Sequence, residues 1–367
     1  MSDEPKKSKR PASLTFDYTK GDTPPWVREM IETHLAIEAE DAKSAGALGF
    51  MARALVIATM PYKDPKTDAF TRKNGDFRLR IVAGYEGGIP YGVYPRLLMS
   101  WVATEAARNK SPVIELGESL RLFMRDVLDI KSSSGGSRGS GPRVSEQMKR
   151  LFGSLITAQY SGSLEHRGFQ LRNILIAESL DMTEDDEKRI DNLSSEPENT
   201  TPTGHTTAEL KSETKDGALW TPQSGHEAGQ WRSQVRLTTA FYKECVTNPV
   251  PIDLRAYKQL RSSPLAMDVY TWLTYRLSYT HRRTRPIPWE LLMQQFGSSY
   301  NPANPGQAVR DFKKAFIRAL TLVQYLYSAA RVELNDNGLV LLPSPSHIAP
   351  VTPKIALQRD LWDKPTE

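Results

Sequence analysis

The chain has 367 residues, of which 39% are hydrophobic and 25% are charged, and its formal net charge is +5. This composition is typical of globular proteins, and no apolar run approaches the ~18–20 residues that a membrane-spanning helix needs. The single cysteine, Cys245, excludes an intramolecular disulfide and every metal site built from several cysteines.

The net charge is distributed unevenly along the chain. Residues 181–230 carry −8, whereas residues 94–180 carry +4 and residues 251–334 carry +7. The acidic stretch is rich in Ser, Thr, Glu and Pro, so it cannot bury enough apolar surface to offset its ordering entropy. We therefore expect a disordered insertion at 181–217 and, for the same reason, a disordered tail at 1–22.

The first ordered region combines helical patterns with a β-hairpin. PPWVREMIETHLAIEAE and ALGFMARALVIATM both have helical spacing of apolar residues, and proline residues mark the start of the first helix and the end of the second. In DAFTRKNGDFRLRIVA, Leu79 and Ile81 alternate with Arg78 and Arg80, and the Asn-Gly dipeptide suits a type I′ turn. This pattern predicts a hairpin with one cationic face.

An ordered series of elements begins at Tyr94. It consists of a helix (PRLLMSWVATEAARN), a short strand (PVIEL), a second helix (ESLRLFMRDVLDI), a glycine-serine loop and a longer helix (PRVSEQMKRLFGSLITAQY). The longer helix has an apolar stripe at Val144, Met148, Leu151 and Leu155. We expect GFQLRNILIAES and QWRSQVRL to be paired strands that follow it, with the acidic insertion between them.

The same order of elements returns after Ser263, an expected N-cap that precedes a proline. A helix (PLAMDVYTWLTYRLSYT) leads through the basic turn HRRTRP to a short extended segment and the helix WELLMQQFG. A long helix (QAVRDFKKAFIRALTLVQYLY) then precedes the hairpin RVELNDNGLVLLP. Trp101 and Trp272 occupy matching positions in the two copies, and we expect both in the core, together with Cys245.

Helix, strand, helix, turn, long helix and hairpin is the order of a winged helix-turn-helix. The expected fold is α+β and mainly helical, with two tandem winged helix-turn-helix domains related by internal duplication. We expect a tail at 1–22, N-terminal helices and a hairpin packed on the first domain at 23–93, the first winged-helix domain at 94–238, a linker helix at 239–262, the second winged-helix domain at 263–347 and a C-terminal tail at 348–367.

Motifs for chemistry are absent from the sequence. It has no G-x-x-x-x-G-K-[ST] phosphate loop and no H-E-x-x-H or H-x-H metal motif, and its one Asp-Asp pair, Asp185-Asp186, lies in the acidic stretch. No set of residues in the sequence has the pattern of a general acid and a general base. We therefore expect neither a catalytic residue, nor a metal, nor a cofactor.

Basic side chains opposite the core stripes favour contacts with DNA, because cations gain affinity by releasing counterions condensed on the phosphates. Arg and Gln can also pair with guanine and adenine in the major groove. The alternative for any one of these helices is an ordinary solvated face. The candidate DNA-binding residues are Arg143, Gln147, Lys149 and Arg150 in the first copy, Arg310, Lys313, Lys314 and Arg318 in the second, Arg282, Arg283 and Arg285 in the basic turn, and Arg167 in the first wing.

The stretches GIPYGVYPRLLMSWVATEAARNKSPVIELGESLRLFMRDVL and RSSPLAMDVYTWLTYRLSYTHRRTRPIPWELLMQQFG, followed by FKKAFIRAL and RVELNDNGLVLLPSPSH, resemble the plasmid-encoded RepA replication proteins of bacteria, the RepA-C group. The resemblance covers roughly residues 47–180 and 229–347. It implies a cytoplasmic replication initiator that binds repeated sites in double-stranded plasmid origin DNA, promotes origin opening and recruits a host initiator and helicase. It also implies a homodimer when such a protein represses its own gene.

The sequence leaves three hypotheses about function open. They are an origin-binding initiator, a transcriptional repressor with the same fold and no replication role, and an enzyme such as a nickase or primase. We favour the first, a non-enzyme. The acidic insertion also has two interpretations, a passive solvated segment or an electrostatic partner that competes with DNA for a basic face.

Overall fold

The structure, a computed structural model, describes residues 24–116, 123–128, 130, 139–161, 169–182, 234–247, 249–297 and 304–348. The predicted tail at 1–22, nearly all of the predicted insertion and all but the first residue of the predicted C-terminal tail lie outside these ranges. Within these ranges, no helix has the length and apolar character needed to cross a bilayer.

Helices and strands are mixed along the whole described chain. The first elements are α1 (Pro25–Ala39), β1 (Leu48–Met51), α2 (Arg53–Ile57), β2 (Ala69–Asn74), β3 (Phe77–Ala83), α3 (Tyr94–Asn109), β4 (Val113–Glu115) and a π-helical turn at Phe123–Val127. Next come α4 (Ser140–Phe152), β5 (Ser154–Ser161), β6 (Phe169–Leu175), β7 (Ala177–Asp181) and β8 (Gln234–Leu237). The last are α5 (Thr239–Thr247), β9 (Val250–Asp253), α6 (Leu254–Gln259), a 3₁₀ turn (Leu260–Ser262), α7 (Pro264–Leu277), α8 (Trp289–Phe296), α9 (Pro305–Leu326), β10 (Val332–Asn335) and β11 (Gly338–Leu341).

The strands form four antiparallel groups. A four-stranded sheet has the order β2-β3-β5-β6, and a three-stranded sheet has the order β4-β8-β7. β1 pairs with β9, and β10 pairs with β11. Ile287 adds an antiparallel bridge to Leu339 in β11.

Local sequence signals fix the starts of the two long helices in the second half. Ser263 caps α7, since its hydroxyl accepts a hydrogen bond from the amide of Ala266 at 3.2 Å. Asn304 caps α9 in the same way, and its side-chain oxygen accepts from the amide of Gln307 at 3.1 Å. A proline follows each cap, at the position where its fixed φ suits a helix and its missing N–H costs nothing.

One hydrophobic core runs through both halves of the molecule. Trp101 packs edge-to-face on Phe123 at 4.7 Å between ring centroids, and Trp272 packs on Phe296 at 5.5 Å. Cys245 is fully buried in α5, and burial raises the pKa of its thiol to about 12. The expectation that both tryptophans and the cysteine are core residues is confirmed.

The predicted helix over 47–60 is wrong, and so is the predicted linker helix. Residues 48–51 form β1, which pairs with β9 from Met51↔Val250 to Leu48↔Asp253, and only Arg53–Ile57 is helical. Because β9 lies within 239–262, that segment contains α5, β9 and α6 in succession. The strands pair across about 200 residues of sequence, so tertiary pairing overrides the local helical spacing.

The long helix expected over 142–160 is also wrong beyond Phe152. The chain leaves α4 at Gly153 and enters β5, in which Leu155 is a strand residue that pairs with Val82 of β3. The carbonyl of Gly153 accepts a hydrogen bond from the amide of Gly84 at 2.9 Å, and a Cβ on Gly84 would collide with that carbonyl. The nonlocal contact with β3 thus ends the helix.

The strands after this helix differ from the expected pair. GFQLRNILIAES is divided between β6, which pairs with β5, and β7, which pairs with β8 of the predicted partner segment. The first hairpin is confirmed, but Asn74 pairs with Phe77, so its turn residues are Gly75 and Asp76 rather than Asn74 and Gly75. Gly75 has a φ of 57°, which a glycine adopts without strain.

Candidate nucleic-acid interface

Helix α9 carries the cationic face that the sequence predicts. Arg310, Lys314 and Arg318 are exposed at intervals of four residues, while Phe312 and Phe316 are buried on the other side. Arg310 donates to the side-chain oxygen of Gln307 at 2.8 and 3.2 Å. Neither Lys314 nor Arg318 forms an ion pair with any residue in the described part of the chain. Three long donors thus project from one helix, and Lys314 and Arg318 have no ion-pair partner among the described residues.

The hairpin of β10 and β11 lies beside this helix. Lys313 has its Nζ 3.5 Å from a carboxylate oxygen of Asp336 in the hairpin turn and 5.0 Å from the centroid of the Trp289 ring. The indole nitrogen of Trp289 donates to the carbonyl of Asn335 at 3.1 Å. Trp289 therefore fastens the start of α8 to the hairpin turn, and Lys313 is engaged there.

The basic turn before α8 is attached to the same hairpin. Arg282, Arg283 and Arg285 are all exposed. The Arg283 guanidinium lies 2.6 Å from a carboxylate oxygen of Glu333 in β10. The amide of Thr284 donates to the carbonyl of Leu341 at 3.0 Å. The hairpin of β10 and β11 thus contacts both the basic turn and α9. The predicted basic residues of these two segments therefore lie around the same hairpin.

Helix α4 in the first half does not present the face that was predicted. Gln147 is only 4% exposed, and its side-chain oxygen accepts a hydrogen bond from the amide of Tyr91 at 2.9 Å. The expectation that Gln147 faces solvent is wrong, because the loop before α3 covers it. Arg150 has a side chain only 12% exposed, lies 2.7 Å from Glu146 and 3.6 Å from Asp64, and stacks over Tyr91. The expectation that Arg150 is exposed is also wrong, because the Tyr91 loop covers it as well.

The other predicted residues of the first half have three different surroundings. Arg143 is exposed at the start of α4 and lines a cavity of about 810 Å³ together with Tyr91, Gln147 and Arg261. Lys149 is half-buried in the last turn of α4. Arg167 lies outside the described residues, and its predicted role stays a prediction.

One cation of the first hairpin was not predicted from the sequence. Lys73 in β2 lies directly opposite Arg78 in β3, on the exposed face that Arg78 and Arg80 were predicted to form. The turn at Gly75 and Asp76 sets this register and places Lys73 opposite Arg78, whereas the predicted turn at Asn74 and Gly75 would place Lys73 opposite Asp76. No group of three or more His, Cys, Asp or Glu side chains among the described residues could hold a metal ion.

Comparisons with known proteins include a family model and distant solved structures. The crystal structure of SeMet derivatives of domain 2 and domain 3 of RctB has a TM-score of 0.42 and 11% identity, and the match covers 79% of this chain and 98% of that chain. A second crystal structure, of the RctB domains 2-3, has a TM-score of 0.39 and 12% identity, with coverages of 78% and 94%. No curated protein matches the chain.

The family model described as "Plasmid encoded RepA protein" matches residues 89–196 and 199–290, which together are more than half of the chain. The first segment contains α3 and α4, and the second contains α7 and the basic turn. The resemblance read from the sequence is confirmed: the chain belongs to the RepA_C family of plasmid-encoded RepA replication proteins.

Proposed function

We propose that this protein is a plasmid replication initiator that binds repeated sites in double-stranded origin DNA, promotes opening of the origin and recruits a host initiator and helicase. It acts in the bacterial cytoplasm by binding rather than by catalysis. A second copy of the chain, forming a homodimer, is a further expected partner. Family membership supports initiation. The observation that carries DNA binding is the set of exposed cations on α9 and the basic turn, both attached to one hairpin.

We further propose that each half contains a winged helix-turn-helix. The order of strands supports this: in the first half β4, the strand after α3, pairs with β8, which pairs with β7. In the second half Ile287, shortly after α7, bridges to β11, which pairs with β10. The first strand thus lies beside the last in both halves. That common order supports the proposed duplication.

Helix α9 serves as the recognition helix of the second unit in this proposal. Arg310, Lys314 and Arg318 lie on its exposed face, and the basic turn contributes phosphate contacts from Arg282 and Arg285. In the first unit Arg143 and Lys149 stay candidates. Gln147 and Arg150 are left out because their side chains are already held by the Tyr91 loop and by Glu146.

Binding to origin DNA by single variants tests the assignment of α9. Arg310→Ala and Lys314→Ala should each weaken binding to a duplex from the origin of the cognate plasmid. Loss of a phosphate contact should flatten the slope of log affinity against log salt by about 1, and loss of a base contact should cost roughly 1–3 kcal/mol and relax specificity. Lys43→Ala, an exposed cation distant from α9 in sequence, is the control. Unchanged binding of both α9 variants would contradict the assignment.

A further inference from the structure

The four-stranded sheet β2-β3-β5-β6 has one buried face and one open face. Leu79 and Ile81 of β3 are fully buried, whereas Arg78 and Arg80, which alternate with them, are exposed. In β2 the cation Lys73 lies directly opposite Arg78, and both are on the open face. The open face therefore carries three cations within a small area.

The distances between these cations follow from strand geometry. Directly opposed residues of an antiparallel pair are about 4.5–5.5 Å apart, and residues two apart on one strand are about 6.8 Å apart. The longest of the three separations, the diagonal from Lys73 to Arg80, is therefore about 8 Å. Duplex DNA carries about one charge per 1.7 Å of its axis when both strands are counted, so a length of about 8 Å carries about five phosphate charges.

None of the three cations is neutralised by the protein in the part of the chain that the structure describes. Lys73, Arg78 and Arg80 form no ion pair or side-chain hydrogen bond with a described residue, and Asp76 in the adjoining turn is not paired with them. By contrast, Arg72 on the buried face donates to the carbonyl of Gly297 at 2.6 Å. Like charges that lie opposite each other across strands destabilise a sheet. An anionic ligand would relieve this repulsion.

Polar side chains flank Arg80 on both sides of β3 on the open face. Thr71 pairs with Arg80 across β2 and β3, and Thr157 of β5 pairs with Arg80 on its other side. The Thr157 hydroxyl donates to the side-chain oxygen of Asn173 in β6 at 2.9 Å. Hydroxyl and amide groups such as these are common partners of DNA phosphate and sugar oxygens.

We propose that the face formed by Lys73, Arg78 and Arg80 binds the sugar–phosphate backbone of duplex DNA. This inference rests on the proposed DNA-binding function and adds a contact surface to the helix and turn assigned above. The contact is with phosphates rather than with base edges, so it is independent of base sequence and adds affinity to the contacts of the recognition helices. Duplex DNA is the partner rather than a single strand, because its two strands together carry more phosphate charges per unit length.

The triple variant Lys73→Gln, Arg78→Gln and Arg80→Gln tests the proposal. Its control, Arg28→Gln, Lys43→Gln and Lys63→Gln, removes three exposed cations and the same net charge elsewhere. Fluorescence anisotropy across a salt series should give affinities for a labelled origin duplex. Three lost phosphate contacts should flatten the slope of log affinity against log salt by about 2–3, and the control should match the wild type. The melting temperature of the free triple variant should equal or exceed that of the wild type.

The outcomes separate this inference from the proposed function. Failure of the wild-type protein to bind origin duplex would overturn the proposed function. Wild-type binding with the same slope in the triple variant would overturn only the present inference. A triple variant that loses affinity for a single-stranded oligonucleotide of the same length, but keeps its duplex affinity, would also overturn it, in favour of a single-strand site.

Discussion

Arg96 and Asp268 form a buried ion pair between the two halves of the molecule. Arg96 in α3 donates through Nε and Nη2 to the two carboxylate oxygens of Asp268 in α7, each at 2.8 Å. The guanidinium also donates to the carbonyls of Met60 and Gly92, and its side chain is 1% exposed. Such bidentate geometry matches a planar guanidinium to a carboxylate. The pair joins the predicted first and second domains through charged atoms inside the core.

Removing the carboxylate should leave a buried, unpaired guanidinium. We expect Asp268→Asn to lower the free energy of unfolding by roughly 3–5 kcal/mol, because breaking one partner of a buried pair leaves an uncompensated charge. Urea denaturation measures this loss. The control is Asp64→Asn at the partly exposed Arg150 contact, which should cost less than about 1 kcal/mol. A similar small loss in Asp268→Asn would contradict the structural role of the pair.

His347 connects the end of the described chain to the core as a neutral ring. Its Nδ1 accepts a hydrogen bond from the Tyr270 hydroxyl at 2.8 Å, and its Nε2 donates to the carbonyl of Leu326 at 3.1 Å. The amide of Asp253 donates to the same Tyr270 oxygen at 2.9 Å, so the hydroxyl proton is free for His347. Burial lowers the pKa of His347 below its ordinary value of 6.5.

A lowered histidine pKa makes stability depend on pH in a defined direction. The contribution of the neutral ring is complete above about pH 6.5 and is lost as the pH falls through the lowered folded-state pKa. The melting temperature should therefore fall more steeply between about pH 7 and 5 in the wild type than in His347→Gln, which cannot titrate. Parallel curves for the two proteins would contradict the neutral, hydrogen-bonded state of His347.

The hairpin of β10 and β11 depends on a glycine at its closest contact. Gly338 has a φ of 152°, and a Cβ there would collide with the carbonyl of Ile287. Gly338→Ala should therefore lower the free energy of unfolding by about 1–3 kcal/mol, as expected for overpacking. Gly306→Ala is the matched control: it lies in the first turn of α9, where a Cβ would meet only an Arg310 nitrogen at 3.8 Å. Equal stability of the two variants in thermal unfolding would count against the close contact.

Elements with local signals could be predicted from the sequence, and those fixed by distant pairing could not. α7 and α9 have caps and long apolar stripes, and both were predicted near their observed bounds. β5 and β9 were predicted as helix because their pairing with β3 and β1 is invisible to a short window. In the candidate site, helical spacing revealed the exposure of Lys314 and Arg318. The covering of Gln147 by Tyr91, 56 residues away, had no local signal.

The whole molecule combines one continuous core with several separate cationic surfaces. Helices α3 and α7 share the Arg96–Asp268 pair, and residues of both halves contribute to the same hydrophobic cluster. The two proposed winged-helix units therefore share one hydrophobic core and one buried ion pair. The proposed binding to repeated origin sites rests on the family membership of the chain and on its exposed cations. A repressor would need the same surfaces, so DNA binding alone does not distinguish it from an initiator.

A plasmid maintenance assay distinguishes an initiator from a repressor most directly. An origin plasmid without the gene for this protein would be introduced into bacteria that supply the protein from a second replicon. The protein supplied would be the wild type or the triple variant Arg310→Ala, Lys314→Ala and Arg318→Ala, with expression matched by immunoblot. The proposed function predicts that the origin plasmid is maintained with the wild type and lost with the variant or with no protein. Maintenance of the plasmid in the absence of the protein, or its loss in the presence of the wild type, would contradict the initiator role.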